Sequence, residues 1–184
     1  AGTLFLRGTN TYAGVTTNFG GILMVTTNFA LGTGTGLLAN GTVITNSTLG
    51  FSNNVIYTAN ERVTISGTNS VTGDGAIMNY GGDNTFRGGI ALSQNSTIGS
   101  LLGNLNLEGG FISNGAFRLT VTNAPGTSVS ITNLISGTGG LTHRGAGTLF
   151  LRGTNTYAGV TTNFGGILMV STNFALGTGT GTLL

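Results

Sequence analysis

The sequence predicts an all-β fold of the parallel solenoid type, and three observations predict it. The first is composition. Of 184 residues, 35 are Gly and only 5% are charged, Lys is absent, and the single Pro is Pro125. Thr, Val, Ile, Leu and Phe, the residues that suit pleated strands, are plentiful, while Gly, Asn and Thr supply turns. The second is repetition: residues 146–181 repeat residues 1–36 with one change, Thr26 to Ser171. The third is that no segment shows a capped helical stripe of apolar residues.

Ala146 restarts the pattern that begins at Ala1. A weaker copy sits near half that offset, where 73–90 resembles 145–160 and the Asn84-Thr85-Phe86-Arg87-Gly88 element matches Asn155-Thr156-Tyr157-Ala158-Gly159. A unit of about 72 residues divides into three coils of about 24, so that about six coils fill each long repeat. No composition shift marks a boundary, which makes residues 1–184 one continuous solenoid segment. Residues 1–145 form one full repeat, and 146–184 begin the next. The match starts inside a strand-like run, as expected for a window from a longer protein whose ends are covered by more solenoid.

In chain order, Thr3-Leu4-Phe5-Leu6-Arg7 and Gly21-Ile22-Leu23-Met24-Val25 are short apolar runs bounded by glycines. Alternation places Leu4 and Leu6 on one face and Phe5 and Arg7 on the other. It likewise turns Met24 outward if Leu23 and Val25 point inward. Residues 117–122 and 128–132 alternate more cleanly still. Asparagines are expected at corners, or stacked in amide ladders, because Asn tolerates left-handed backbone and identical amides can bond along a stack. These positions are Asn10, Asn18, Asn28, Asn53, Asn79, Asn104, Asn155, Asn163 and Asn173, with 28, 53, 79 and 104 read as one column.

The segment Ile135 to Val170 carries Gly-Thr-Gly-Gly-Leu-Thr, then Gly-x-Gly-Thr-Leu-x-Leu-x-Gly, then Asn-Thr-Tyr-x-Gly, then a Gly-x-Leu-x-Val strand. It resembles the autotransporter-associated β-strand repeat of bacterial surface proteins. The resemblance covers 135–170, extends to 1–36 by identity, and reaches 63–90 loosely. It implies a right-handed single-stranded parallel β-helix exported to the cell surface or beyond. Phe5 and Phe150 depart from the small polar residues usual at that position. With Met24 and Met169 they are candidates for lateral packing between solenoids.

Chemical sites are sparse. The acids are Glu61, Asp74, Asp83 and Glu108, and the two Asp read as turn residues rather than a catalytic pair or a calcium repeat. His143, the sole histidine, reads as a turn residue. Cysteine is absent, and the six arginines are scattered, which argues against nucleic-acid binding. No apolar run is long enough to span a membrane as a helix. The sequons at Asn40, Asn46 and Asn95 are expected by chance in so Asn- and Thr-rich a chain.

No catalytic, cofactor or metal site is expected. The expected partner is the protein itself, through axial continuation and lateral packing, with no nucleic acid and no membrane insertion. A surface glycan stays open as a partner, although no residue pattern supports one. The functional expectation is a structural, non-enzymatic repeat protein forming an extracellular filament, sheath or matrix fibre. The alternative is the stalk or passenger of a surface adhesin whose binding tip lies elsewhere.

Overall fold

The computed structural model describes residues 2–68 and 74–178, so 69–73 of the half-length repeat and 179–181 of the second long copy lie outside the described residues. Among the described residues, twenty short strands wind through three parallel sheets. The first sheet runs β1 (Thr3–Leu6), β3 (Ile22–Val25), β5 (Thr48–Ser52), β8 (Ile77–Gly81), β11 (Ser96–Ser100), β14 (Leu119–Asn123), β17 (Leu141–His143) and β19 (Thr161–Asn163). The second runs β2 (Thr16–Asn18), β4 (Thr42–Thr45), β7 (Arg62–Ser66), β10 (Gly89–Leu92), β13 (Phe111–Gly115) and β16 (Leu134–Gly137). The third runs β6 (Ile56–Tyr57), β9 (Asp83–Phe86), β12 (Asn104–Leu107), β15 (Ser128–Ile131), β18 (Thr148–Leu151) and β20 (Ile167–Val170). Apart from the strands, one turn of 3-10 helix occupies Leu38–Asn40 among the described residues.

From β5 to β18 the chain visits the first, third and second sheets in rotation, each circuit being one coil, whereas β1–β4 alternate between the first and second sheets and β17–β20 between the first and third. The protein is thus a parallel β-solenoid of about seven turns with about 22 residues per turn, close to the expected 24. Coil length is uneven. The circuit from Thr3 to its partner Ile22 is short, whereas the circuit from Leu49 to its partner Ile77 is long.

Alternation builds the core. In the first sheet Leu23, Leu49, Ile77, Ile98 and Val121 stack in register, all buried. Leu105, Val129 and Leu149 do the same in the third, and Val63, Ile90, Ile112 and Ile135 in the second. Where Phe51, Tyr57 and Phe86 meet, with ring centroids 5.6–6.5 Å apart, aromatic bulk fills the interior. The Tyr57 hydroxyl accepts a hydrogen bond from the Leu31 amide at 3.1 Å, so its polar end is satisfied.

The two long copies keep their internal pairing. Thr3–Leu6 pairs with Ile22–Val25, and Thr148–Leu151 pairs with Ile167–Val170 in the same register. They do not share a face, however. The first pair belongs to the first sheet and the second pair to the third. A shift of one long repeat therefore corresponds to six coils plus one face.

Candidate functional site

Outward side chains come from the strand positions between the core residues. Leu149 and Leu151 are fully buried, and Phe150 between them points out, half-buried, with Ser130 below it and Met169 above it in register. The Arg152 guanidinium carbon lies 4.7 Å from the Phe150 ring centroid. The first copy repeats this geometry, with Arg7 4.9 Å from Phe5. Two further pairs place Arg144 4.4 Å from Phe164 and Arg62 5.5 Å from Phe111. Phe111 lies flat because Gly89 stands beside it; a Cβ there would meet the ring at 2.6 Å. Four of the six arginines thus rest on phenylalanine, a stacking worth about 0.5–1 kcal/mol at exposed sites. Alternation pointed to the outward Phe5 and Phe150, but not to their arginine covers, since the partners lie two residues on or in another coil.

Of the four side chains expected to pack laterally, Met169 is 48% exposed and Phe5 46% exposed. Phe150 is half-buried. Met24 does not fit that role, being only 6% exposed. It lies over Gly50 of the next coil, where Tyr80 also packs, because a glycine on the outer face leaves a trough for the thioether.

Of the asparagines expected at corners or in ladders, Asn18, Asn79, Asn104 and Asn163 lie in strands, and 28, 53, 79 and 104 do not form one column. Uneven coils carry a constant offset out of register. Phe51 stands opposite Asn79, and Asn104 stands opposite Asp83. Asn53 adopts left-handed backbone (φ 77°). Asn28 bonds both the amide and the hydroxyl of Thr58, and Asn18 donates to the Thr48 carbonyl. Asn10 and Asn155 do the same work in the two copies, donating to the carbonyls of Ala30 at 2.7 Å and Ala175 at 2.6 Å in the next coil. Asn173 lies exposed in the last described coil, at the position that Asn28 takes in the first copy.

The polar column that does form runs through Asn79, Ser100 and Asn123. Asn79, fully buried, donates to the carbonyls of Gly82 and Leu102 and accepts from Asn84 at 2.6 Å. His143 joins this column only through its side chain and is not a turn residue: in register it stands opposite Val121, at the end of the aliphatic stack of the first sheet. It ends β17, is 1% exposed, and sits between two asparagines. Asn123 commits its Nδ2 to the Thr148 carbonyl, so its Oδ1 accepts from His143 Nε2 at 3.0 Å. His143 Nδ1 lies 2.8 Å from the Asn163 amide oxygen. Burial pushes the imidazole pKa down, partly countered by the Asn163 bond. A lone histidine in sequence gives no sign of this stack, because its partners lie one coil away on either side.

Glu61 is also buried. Its Oε1 accepts from the Thr42 hydroxyl at 2.7 Å, its Oε2 has no partner, and desolvation pushes its pKa up to about 7. The other carboxylates are engaged at the surface. Glu108 pairs with Arg87 at 2.8 Å, Asp83 accepts from the Asn104 side-chain amide at 2.7 Å, and Asp74 accepts from the Tyr80 hydroxyl at 2.8 Å. Among the described residues, no three His, Cys, Asp or Glu side chains gather as metal ligands, and no helix is long and apolar enough to cross a membrane.

No family model matches the chain, and no solved structure matches it. The chain is similar to the adhesin BmaC autotransporter of Brucella suis biovar 1 (strain 1330), with 36% identity over 162 residues. The match takes in 88% of this chain and spans 4% of that protein's length.

Proposed function

We propose that this chain is a length of the passenger or stalk of a bacterial cell-surface adhesin, with a structural role and no catalysis of its own. The observation that carries the reading is the similarity to an adhesin autotransporter along 88% of a chain built as one continuous solenoid. Parallel coils that each bury a share of a common core extend a chain without limit on length, which is what a projecting shaft needs. The long repeat would serve a free filament, sheath or matrix fibre equally well. The relative tips the balance toward the adhesin.

The test places an epitope tag in the exposed Pro125–Gly126 turn of the full-length gene product in its own bacterium. The expected result is tag exposed on intact cells and removed by external protease, with loss of cell attachment when the protein is deleted. Tag confined to the cell interior, or found only on filaments detached from cells, would overturn the reading.

A further inference from the structure

Asn123 and Asn163 stand one coil to either side of His143, and their amides decide which ring nitrogen carries hydrogen. Asn123 is 3% exposed and donates Nδ2 to the Thr148 carbonyl at 2.9 Å, so its Oδ1 faces Nε2 as an acceptor. In the neutral ring Nε2 therefore bears the hydrogen, and Nδ1 is left with a lone pair. Yet the group 2.8 Å from Nδ1 is the Asn163 amide oxygen. Two lone pairs cannot share a hydrogen bond. The contact closes in one of two ways: a proton on Nδ1 donates to Oδ1, or the amide turns over and Nδ2 donates to the bare nitrogen.

Both orientations suit the amide. Among the described residues, no other hydrogen bond holds the Asn163 side chain. Its copy Asn18 donates Nδ2 to the Thr48 carbonyl, in a coil further along the chain, at 3.3 Å, so an amide nitrogen turned away from the preceding coil is also accommodated.

We propose that His143 and Asn163 form an acid-responsive joint at the start of the second long copy: a proton taken up from solvent on Nδ1 turns the Asn163 amide over. The surroundings set the direction. β17 pairs with β14 and β19, and none of these strands carries an acid. Nor do β15, β16, β18 and β20 in the same coils. The cations of the adjoining segments point outward: Arg118 donates to the Thr142 hydroxyl, Arg144 stacks on Phe164, and Arg152 stacks on Phe150. They share the sign of the added proton. Tyr157, bonded to Thr161, has its pKa raised by burial and stays neutral. Burial likewise holds the imidazole neutral to lower pH, and the Asn163 oxygen offsets this only in part. At neutral pH the amide thus presents Nδ2 to the ring, and in acid it presents Oδ1. Each state satisfies both ring nitrogens, so the folded column survives the change.

Nitrogen NMR of the labelled chain, titrated from about pH 8 to about pH 4, tests the joint on the protein's sole histidine. The expected neutral ring is the Nε2–H tautomer, with Nδ1 accepting from the Asn163 side-chain amide. On acidification the Asn163 amide signals should shift with the ring, at a midpoint below 6.5, while the strand signals stay dispersed. Asn163→Asp keeps an acceptor and loses the donor, and should raise that midpoint by about one pH unit or more. Four outcomes would overturn the proposal. They are an Nδ1–H tautomer in the neutral ring, an Asn163 amide indifferent to the ring's titration, an Asn163→Asp midpoint equal to the parent's, or unfolding before the ring titrates. All but the third are read on the parent chain, so an Asn163→Asp chain that does not fold leaves the test intact.

Discussion

Leu4 and Leu149 occupy the same place in two copies of one sequence, yet Leu4 pairs with Leu23 in the first sheet and Leu149 with Leu168 in the third. Identical local sequence therefore fixes local pairing but not the face on which the pair sits. The face is set by the lengths of the intervening coils, which are uneven: the circuit from Thr3 to Ile22 is much shorter than the one from Leu49 to Ile77. Between its two copies the pattern advances by one of three faces.

That rotation is open to a cross-linking check. The chain has no cysteine to interfere. Ser130 and Phe150 are outward neighbours in adjacent strands of the third sheet. Parallel in-register strands stand about 4.8 Å apart, within the Cα range that a disulfide bridges. Ser130→Cys with Phe150→Cys should form a disulfide under mild oxidation. Thr122→Cys with Phe150→Cys should not, because Thr122 faces outward from the first sheet. Bridging of the second pair but not the first would place both copies on one face.

Inward and outward positions of a single strand should lose stability unequally on mutation. Leu149→Ala removes a fully buried side chain from the core stack and should cost about 2–5 kcal/mol in chemical denaturation. Phe150→Ser removes an outward ring held mainly by Arg152 and should cost about 1 kcal/mol or less. A larger loss from Phe150→Ser than from Leu149→Ala would mean that the strand register is shifted by one residue.

Much of this architecture is legible in the sequence, because a solenoid is made of local patterns. Alternation around Leu149, Phe150 and Leu151 gives their directions, and the near-identical copies give the repetition. The columns are not legible. Placing Asn79 above Ser100 rather than above Asn104 requires the length of each coil, which composition does not reveal. The same uncertainty hides His143 between Asn123 and Asn163, and Arg144 over Phe164. Met24 is readable as outward, but its cover by Tyr80 depends on Gly50 one coil away.

The polar column should matter to stability in proportion to its burial. Asn79→Ala removes the donor to the Leu102 carbonyl and one partner each of the Asn84 amide, which keeps the Gly81 carbonyl, and of the Gly82 carbonyl, which keeps the Asn104 amide. A cost of about 3 kcal/mol is expected, since buried unsatisfied groups are expensive. Asn28→Ala, at a half-exposed corner where water can replace the amide, should cost about 1 kcal/mol or less. Urea titrations of the two variants against the parent give the comparison, and equal losses would show that the buried column carries no special share of stability.

Glu61 should make the solenoid less stable as pH rises across the weakly acidic range. Its carboxyl is fully buried, donates or accepts nothing through Oε2, and titrates near 7 in the fold against an ordinary value of 4.5. Below pH 4.5 it is protonated in both folded and unfolded chains, and its neutral form is accommodated at no electrostatic cost. Between 4.5 and 7 the unfolded chain releases the proton while the folded chain keeps it, so unfolding gains about 1.4 kcal/mol per pH unit, or ~3 kcal/mol over the window. Above pH 7 the loss is complete. His143 acts with the opposite sign: its depressed pKa removes stability as pH falls below about 6.5. The difference between the parent and Glu61→Gln isolates the carboxylate. Glutamine keeps the size of the side chain and an oxygen for the Thr42 hydroxyl, but it cannot ionise. Denaturant unfolding at about pH 4.5 and about pH 8 should show Glu61→Gln gaining roughly 3 kcal/mol on the parent between the two. A parent and variant that keep the same stability difference at both pH values would mean that Glu61 ionises normally in the folded chain.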